Sequence, residues 1–331
     1  MNAPDEHGLL ATTPYAPRLR PERSEMLAQQ RWMAPGLKGL ARGRRAIANR
    51  DEVGVTMAVE TVRALLRARV VPVAELTLAS TTLPFAQRLN AGIVAAAIGL
   101  REGDALREVG SCARAALAEL AAALRRTAEG PTVVVAAERR VAKPASAQEM
   151  IQGDGAAAAL IGRGDAVATF VAHHGRHADR VNYFREAGRD HDYGCALQPN
   201  RKLVTIKVIE PSVSNGEETG FQAWDGANIQ TAREALTRAY AAAGITDPRR
   251  QIGMAEVHDC FSVTETMLME DLGFSAPGHA LHDVLDGVFD RQGALPVQPD
   301  GGLKCFGHPI GASPSTGRCQ RPGRAGFAAL T

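Results

Sequence analysis

The run TVVVAA at Thr132–Ala137 constrains the fold more than any other part of this chain. A strand with one wet face alternates apolar and polar residues. A run that is apolar at nearly every position has to be covered on both faces, as strands are in parallel sheets flanked by helices. The surrounding sequence supplies the covering elements. Asp51–Arg69 places apolar residues at 55, 58, 59, 62, 65 and 66, a helical stripe. Glu75–Ser80 is a short β-prone stretch, and Ala86–Ile98 and Ser111–Arg125 read as helices rich in small apolar residues. Gly153–Ile161 reads as a turn followed by a strand. Strands alternating with helices imply a layered α/β architecture. The first fifty residues, rich in Arg and Pro, show little periodicity.

Beyond Gly162 the pattern weakens and then returns. Leu203–Glu210 is β-prone, Gly226–Ala243 is helical, Gly253–Val257 reads as a strand and Val263–Leu272 as a helix. Gly278–Gln298 is a long excursion. A chain of 331 residues suits one large or two ordinary domains. A net charge of +2 argues against binding nucleic acid by bulk electrostatics. No apolar run approaches the length of a bilayer span, and MNAPDEHG lacks the layout of a signal peptide, so the expected location is cytoplasmic. The five cysteines are odd in number and contain no CxxC pair, which disfavours a disulfide framework or a zinc knuckle. His173, His174, His177, Asp190, His191 and Asp192 match no metal template, and the pair His279 and His282 lacks a third ligand. No metal is expected.

Chemistry concentrates in three places. Asp300–Ser313, DGGLKCFGHPIGAS, packs four glycines around His308. Glycine lets the main chain approach a ligand closely, and Gly307 and Gly311 are the candidates for that approach to substrate. His258 and Cys260 stand two apart where a strand gives way to a helix. Cys112, in GSCARAALAEL, sits at the expected start of a helix, where the helix dipole lowers a thiol pKa. Cys112 and Cys260, each taken alone, read more readily as buried structural cysteines than as nucleophile or base. Asp154 in GDGA reads as a turn residue.

Three segments, 32–60, 79–100 and 136–162, resemble the N-terminal half of hydroxymethylglutaryl-CoA synthase-like and ketoacyl-ACP-synthase-III-like proteins. Two others, AEVHDCFSVTETMLMEDLGF (255–274) and GGLKCFGHPIGAS (301–313), resemble the sterol-carrier-protein type of thiolase. The chain is thus similar to the thiolase superfamily in both halves. The resemblance implies a duplicated five-layered α-β-α-β-α fold, divided as 1–195 and 196–331. After Ser313 the family continues into a helix and closing strands. Here PSTGRCQRPGRAGFAALT follows, of a composition that suits neither, so the fold is expected to be incomplete at the C-terminus.

The resemblance also implies roles. Cys112 holds the acyl group, and His308 activates it and contributes to an oxyanion hole. His258 holds a water or the substrate carbonyl, and Cys260 moves the α-proton. The implied function is thiolase-type acyl transfer on coenzyme A thioesters, with no separate cofactor. The implied partners are a second copy of the chain in a homodimer and a small zinc-bearing OB-fold protein. Two alternatives stay open: hydroxymethylglutaryl-CoA or ketoacyl synthase activity, and a non-catalytic acyl-binding scaffold.

Overall fold

The computed structural model describes residues 6–100, 104–110, 114–126, 130–171, 173, 183–184, 191, 193–194, 228–259, 262–299, 301–303 and 327–329. They gather into two compact units, one formed by the chain up to Phe170 and one running from Val171 to Lys304 and taking in 327–329.

The first unit runs β1 (Glu6–Tyr15), α1 (Arg23–Gln30), a 3-10 turn (Pro35–Leu40), α2 (Gly54–Ala68), β2 (Glu75–Ala79), α3 (Asn90–Ile98), β3 (Ala105–Val109), α4 (Ala115–Arg125), β4 (Thr132–Glu138), α5 (Ala147–Ile151), β5 (Gly155–Gly164) and β6 (Ala168–Thr169). Its sheet has the order β3-β2-β4-β5-β1-β6. β2 is parallel to β3 and β4, whereas β4–β5 and β5–β1 are antiparallel. All seven residues of β4 are buried. Val133, Val135 and Ala137 join the core shared with Met57, Val62 and Leu65 of α2 and Val94 of α3. Their neighbours Val134 and Ala136 face the other way, into clusters with Ala115, Ala116 and Ala123 of α4. Two-sided burial is the reason for the unbroken apolar run. The expectation of a parallel environment holds on the β2 side only, because β5 returns antiparallel.

Two local readings change. Ala86–Leu89 is loop rather than helix. Asn90, fully buried, accepts from the Phe85 amide at 3.2 Å and donates to the Phe85 and Arg88 carbonyls at 2.9 and 3.0 Å. These bonds hold the chain out of the helix until Asn90. The Arg- and Pro-rich beginning contains a ten-residue strand, β1, paired with β5 from Glu6↔Gly164 to Tyr15↔Ala156. The partner lies about 150 residues away, so a local periodicity search has nothing to find.

The second unit contains a short antiparallel pair, β7 (Tyr183–Phe184) and β8 (Tyr193–Gly194), then α6 (Gln230–Ala243), α7 (Pro248–Gln251), β9 (Met254–Glu256), α8 (Ser262–Asp271), α9 (Ala280–Leu285) and β10 (Phe327–Ala329). Leu236 of α6, Ala255 of β9, Val257, Leu268 and Met269 of α8, and the loop residues Phe274, Leu295 and Val297 form its core. The excursion 278–298 thus contributes a helix and four core side chains, Ala280, Phe289, Leu295 and Val297. β10 pairs parallel with β9, Phe327 opposite Met254 and Ala329 opposite Glu256. The tail, read as unsuited to a strand, supplies one at its small apolar stretch. Ladder hydrogen bonds to β9 decide this, not composition. The β-prone segment 203–210 lies outside the described residues.

Candidate functional site

In the first unit, β2, β3 and β4 end together at Ala79, Val109 and Glu138, the edge where open α/β sheets place their sites. The edge is tied by a buried polar network. Glu138 is fully buried and accepts from the Thr81 amide at 2.7 Å, from the Thr81 hydroxyl at 2.9 Å and from the Thr82 hydroxyl at 2.9 Å. The Thr81 oxygen in turn accepts from Arg140 Nη1 at 2.6 Å, and that nitrogen lies 3.6 Å from Glu138 Oε2. The Arg139 amide donates to the Thr82 hydroxyl at 2.9 Å. Burial pushes the Glu138 carboxyl up, against the opposing pull of Arg140 and the threonine donors. A carboxylate so enclosed holds strand ends and has no access to substrate.

Asp154, read as a turn residue, is buried as well. It accepts from the Ala48 amide at 2.7 Å and the Arg140 amide at 2.8 Å, joining β5's entry to the segment before α2. On the same edge the Ser80 amide donates to Val109 O at 3.0 Å, and a Cβ on Gly110 would meet Ser80 O at 3.3 Å. Gly110 leads into 111–113, and Cys112 lies outside the described residues.

In the second unit, β9 brings Ala255 into the core, and the chain beyond its end at Glu256 adds Val257 to that core and leads to His258, which is half-buried. Burial holds the His258 imidazole below its usual pKa. It is therefore neutral near pH 7, with one N–H to donate. Two side chains fasten this strand end to the chain entering the glycine loop. Gln298 Oε1 accepts from the Val257 amide at 3.1 Å, and its Nε2 donates to Val257 O at 2.5 Å. Gln298 holds a left-handed backbone, φ 51°, and its own amide donates to Ala255 O at 3.0 Å. The Asp259 carboxylate accepts from the Leu303 amide, 3.1 and 3.0 Å from its two oxygens. Gly302, at φ 61°, sits so close that a Cβ there would run into that carboxylate.

Of the residues expected to act, His258 alone is described. Cys260, His308, Gly307 and Gly311 lie, like Cys112, outside the described residues. What comes together is the His258 segment and Gly301–Leu303, the first residues of the loop that carries His308. Asp259 and Gln298 were not read from the sequence as participants. The signal available was weak, an acid inside HDCF and a Gly-Gly pair at the loop entry. The rings of His279 and His282 lie 5.6 Å apart between centroids, tilted by 45°, and the neighbouring Asp283 is engaged by Arg249 at 2.8 and 2.9 Å and by Ser275 at 2.6 Å. Among the described residues no group of three or more His, Cys, Asp or Glu side chains is placed to hold a metal ion. No described helix is long and apolar enough to cross a membrane.

Residues 216–316 match the family described as thiolase C-terminal domain-like. An acetyl-CoA acetyltransferase of Methanocaldococcus jannaschii is 41% identical over 125 residues, 36% of this chain and 31% of that protein. Another, from Methanothermobacter thermautotrophicus, is 40% identical over 87 residues, 26% of this chain and 21% of that protein. The aligned stretches thus span about a fifth to a third of these relatives' length. Among solved structures, PksG, an HMG-CoA synthase from Bacillus subtilus, has a TM-score of 0.65 at 15% identity, covering 99% of this chain and 76% of that one. The 3-oxoacyl-[acyl-carrier-protein] synthase III of Aquifex aeolicus has a TM-score of 0.63 at 14% identity, covering 93% and 87%. The α/β fold of the chain is thiolase-like, and thiolase-type sequence is concentrated in 216–316.

Proposed function

We propose that this chain is a thiolase-type acyltransferase acting on coenzyme A thioesters through a cysteine-bound acyl intermediate. One observation carries the reading: the thiolase C-terminal domain-like match over 216–316 contains both HDCF and the glycine–histidine loop, whose first residues pack on the His258 segment. In this reading the halves are 1–195 and 196–331. Cys112, activated by His308, attacks the thioester carbonyl, a C–S bond forms, and coenzyme A leaves as the thiol. Cys260 then takes the α-proton of a second thioester. The resulting carbanion attacks the acyl carbon and releases Cys112. Negative charge develops on thioester oxygens in these steps, and donors aimed at such oxygens are the largest usual stabilising contribution. The neutral His258 imidazole is suited to that task. Gly307 and Gly311 let the backbone close on the substrate. The thioester is substrate, and the reading needs no further cofactor. A cytoplasmic homodimer, working with a small OB-fold zinc protein, completes it.

The test is covalent labelling. Incubation with radiolabelled acetyl-CoA is expected to give a protein adduct that Cys112→Ala abolishes. A folded protein that takes no label sinks the reading and leaves a non-catalytic scaffold. Synthase activity is the second reading, favoured by HMG-CoA synthase and synthase III structures that match over nearly the whole chain. Acetoacetyl-CoA from acetyl-CoA alone marks a thiolase. A product that needs acetoacetyl-CoA plus acetyl-CoA marks a synthase. Sedimentation of the purified protein tests the dimer.

A further inference from the structure

The bonds between the His258 segment and the loop entry do more than close a turn. We infer that Asp259 is a positioning residue: its carboxylate, bonded to the Leu303 amide beside Gly302, sets the register of Gly301–Leu303, the entry to the glycine loop, against the segment that presents His258. This inference rests on the acyltransferase reading above.

Three features of the clamp support it. First, it is built from conformations that ordinary loops avoid. Gln298, a non-glycine residue at φ 51°, is followed by Gly301 at φ 100° and Gly302 at φ 61°. At Gln298, a non-glycine residue, such backbone costs free energy and persists only where the surroundings over-determine it, which is common at functional sites, whereas the two glycines adopt it freely. Second, its two halves leave little freedom. Gln298 bonds both the N–H and the C=O of Val257, so the backbone on either side of that residue is fixed. Asp259 takes the Leu303 amide with both oxygens within 3.1 Å. Third, the fit requires glycine at 302, because any Cβ would occupy the place of the Asp259 carboxylate. Asp259 stands between His258 and Cys260 in sequence, and Leu303 is five residues before His308. A displacement of about 1 Å between groups that must meet one substrate costs roughly 100-fold in rate.

The clamp can be broken from either side, so a double-mutant cycle tests it. Asp259→Ala removes the acceptor, and Gly302→Ala pushes the carboxylate out. Each is expected to lower kcat for thiolysis of acetoacetyl-CoA by coenzyme A about 100-fold, with little change in KM. The double variant is expected to fall no further, because both changes break one contact. Asp259→Asn keeps an acceptor oxygen for Leu303 and is expected to recover most of the loss. If Asp259→Ala does not fold, Gly302→Ala breaks the same contact and carries the test. Hydrogen exchange at the Leu303 amide provides a readout that does not depend on turnover, and it is expected to quicken in both alanine variants.

Additive losses, an unchanged kcat, or Leu303 exchange that Asp259→Ala leaves unaltered would each overturn the inference. If wild-type protein takes no acetyl label, the acyltransferase reading fails and the kinetic consequence fails with it. Exchange at Leu303 then decides on its own whether Asp259 holds the loop entry.

Discussion

Thr81→Val tests whether the buried carboxylate at the strand ends of the first unit is held as described. The substitution keeps the shape of the side chain and removes one hydroxyl. That hydroxyl donates to Glu138 at 2.9 Å and accepts from Arg140 Nη1 at 2.6 Å. Both partners are ionisable and nearly inaccessible, with side-chain exposures of 0% for Glu138 and 6% for Arg140. Hydrogen bonds to charged groups contribute about 1.5–3 kcal/mol each. The Thr81 amide and the Thr82 hydroxyl still donate to Glu138, so the two losses are not fully additive. The expected cost is about 2–4 kcal/mol at pH 7.5. Urea denaturation followed by circular dichroism measures it as a lower midpoint with unchanged slope.

The pH dependence sharpens the test. Burial raises the Glu138 pKa above its ordinary 4.5, so its contribution to stability is fully present below that value and is lost as pH rises through the folded-state value. Losing a donor to the ionised form raises the folded-state value further. The penalty of Thr81→Val is therefore expected to be larger at pH 7.5 than at pH 4.5, where Glu138 is protonated and leans less on its donors. A cost below about 1 kcal/mol at pH 7.5, less than a single such bond contributes, or an equal cost at both pH values, would refute the account.

Two further outcomes follow from the packing and the charges. Leu65→Ala opens a cavity at a fully buried position of α2 and is expected to cost about 2–5 kcal/mol, read from the same urea curves. Asp283→Asn weakens the join of Arg249 and Ser275 to α9. The Arg249 and Ser275 bonds hold the Asp283 pKa down at about 2, so its contribution is present above the ordinary 3.8 and fades as pH falls toward 2. The melting-temperature gap between wild type and Asp283→Asn is expected to be clear at pH 6 and to close near pH 2.

Local pattern carried much of this fold. The stripe at 55, 58, 59, 62, 65 and 66 became α2, and Thr132–Ala137 became the central strand, because burial on a regular element repeats at short spacing and leaves a mark that can be read over ten residues. The HDCF and GHP motifs were legible for the same reason, as compact residue strings. β1 was not legible, since its stability comes from β5 across the sheet. Nor was β10, which depends on β9 for its hydrogen bonds. At the site, sequence pointed to His258, but not to its lowered pKa, which is a consequence of the volume closed around it. It pointed to the glycine loop, but not to Asp259 and Gln298 as what holds the loop's first residues. It read Asp154 as a turn residue, and folding buried that carboxylate under two backbone amides.

The amino-acid order alone thus determined which segments are helix or central strand and which family motifs the chain carries, since both are properties of neighbours along the chain. Tertiary structure decided the direction of β5 beside β4, the strand partners of the two chain ends, and the polar groups that buried carboxylates satisfy. Those outcomes depend on residues about 20 to 150 positions apart meeting in space, and hydrogen bonds and desolvation act on that proximity alone.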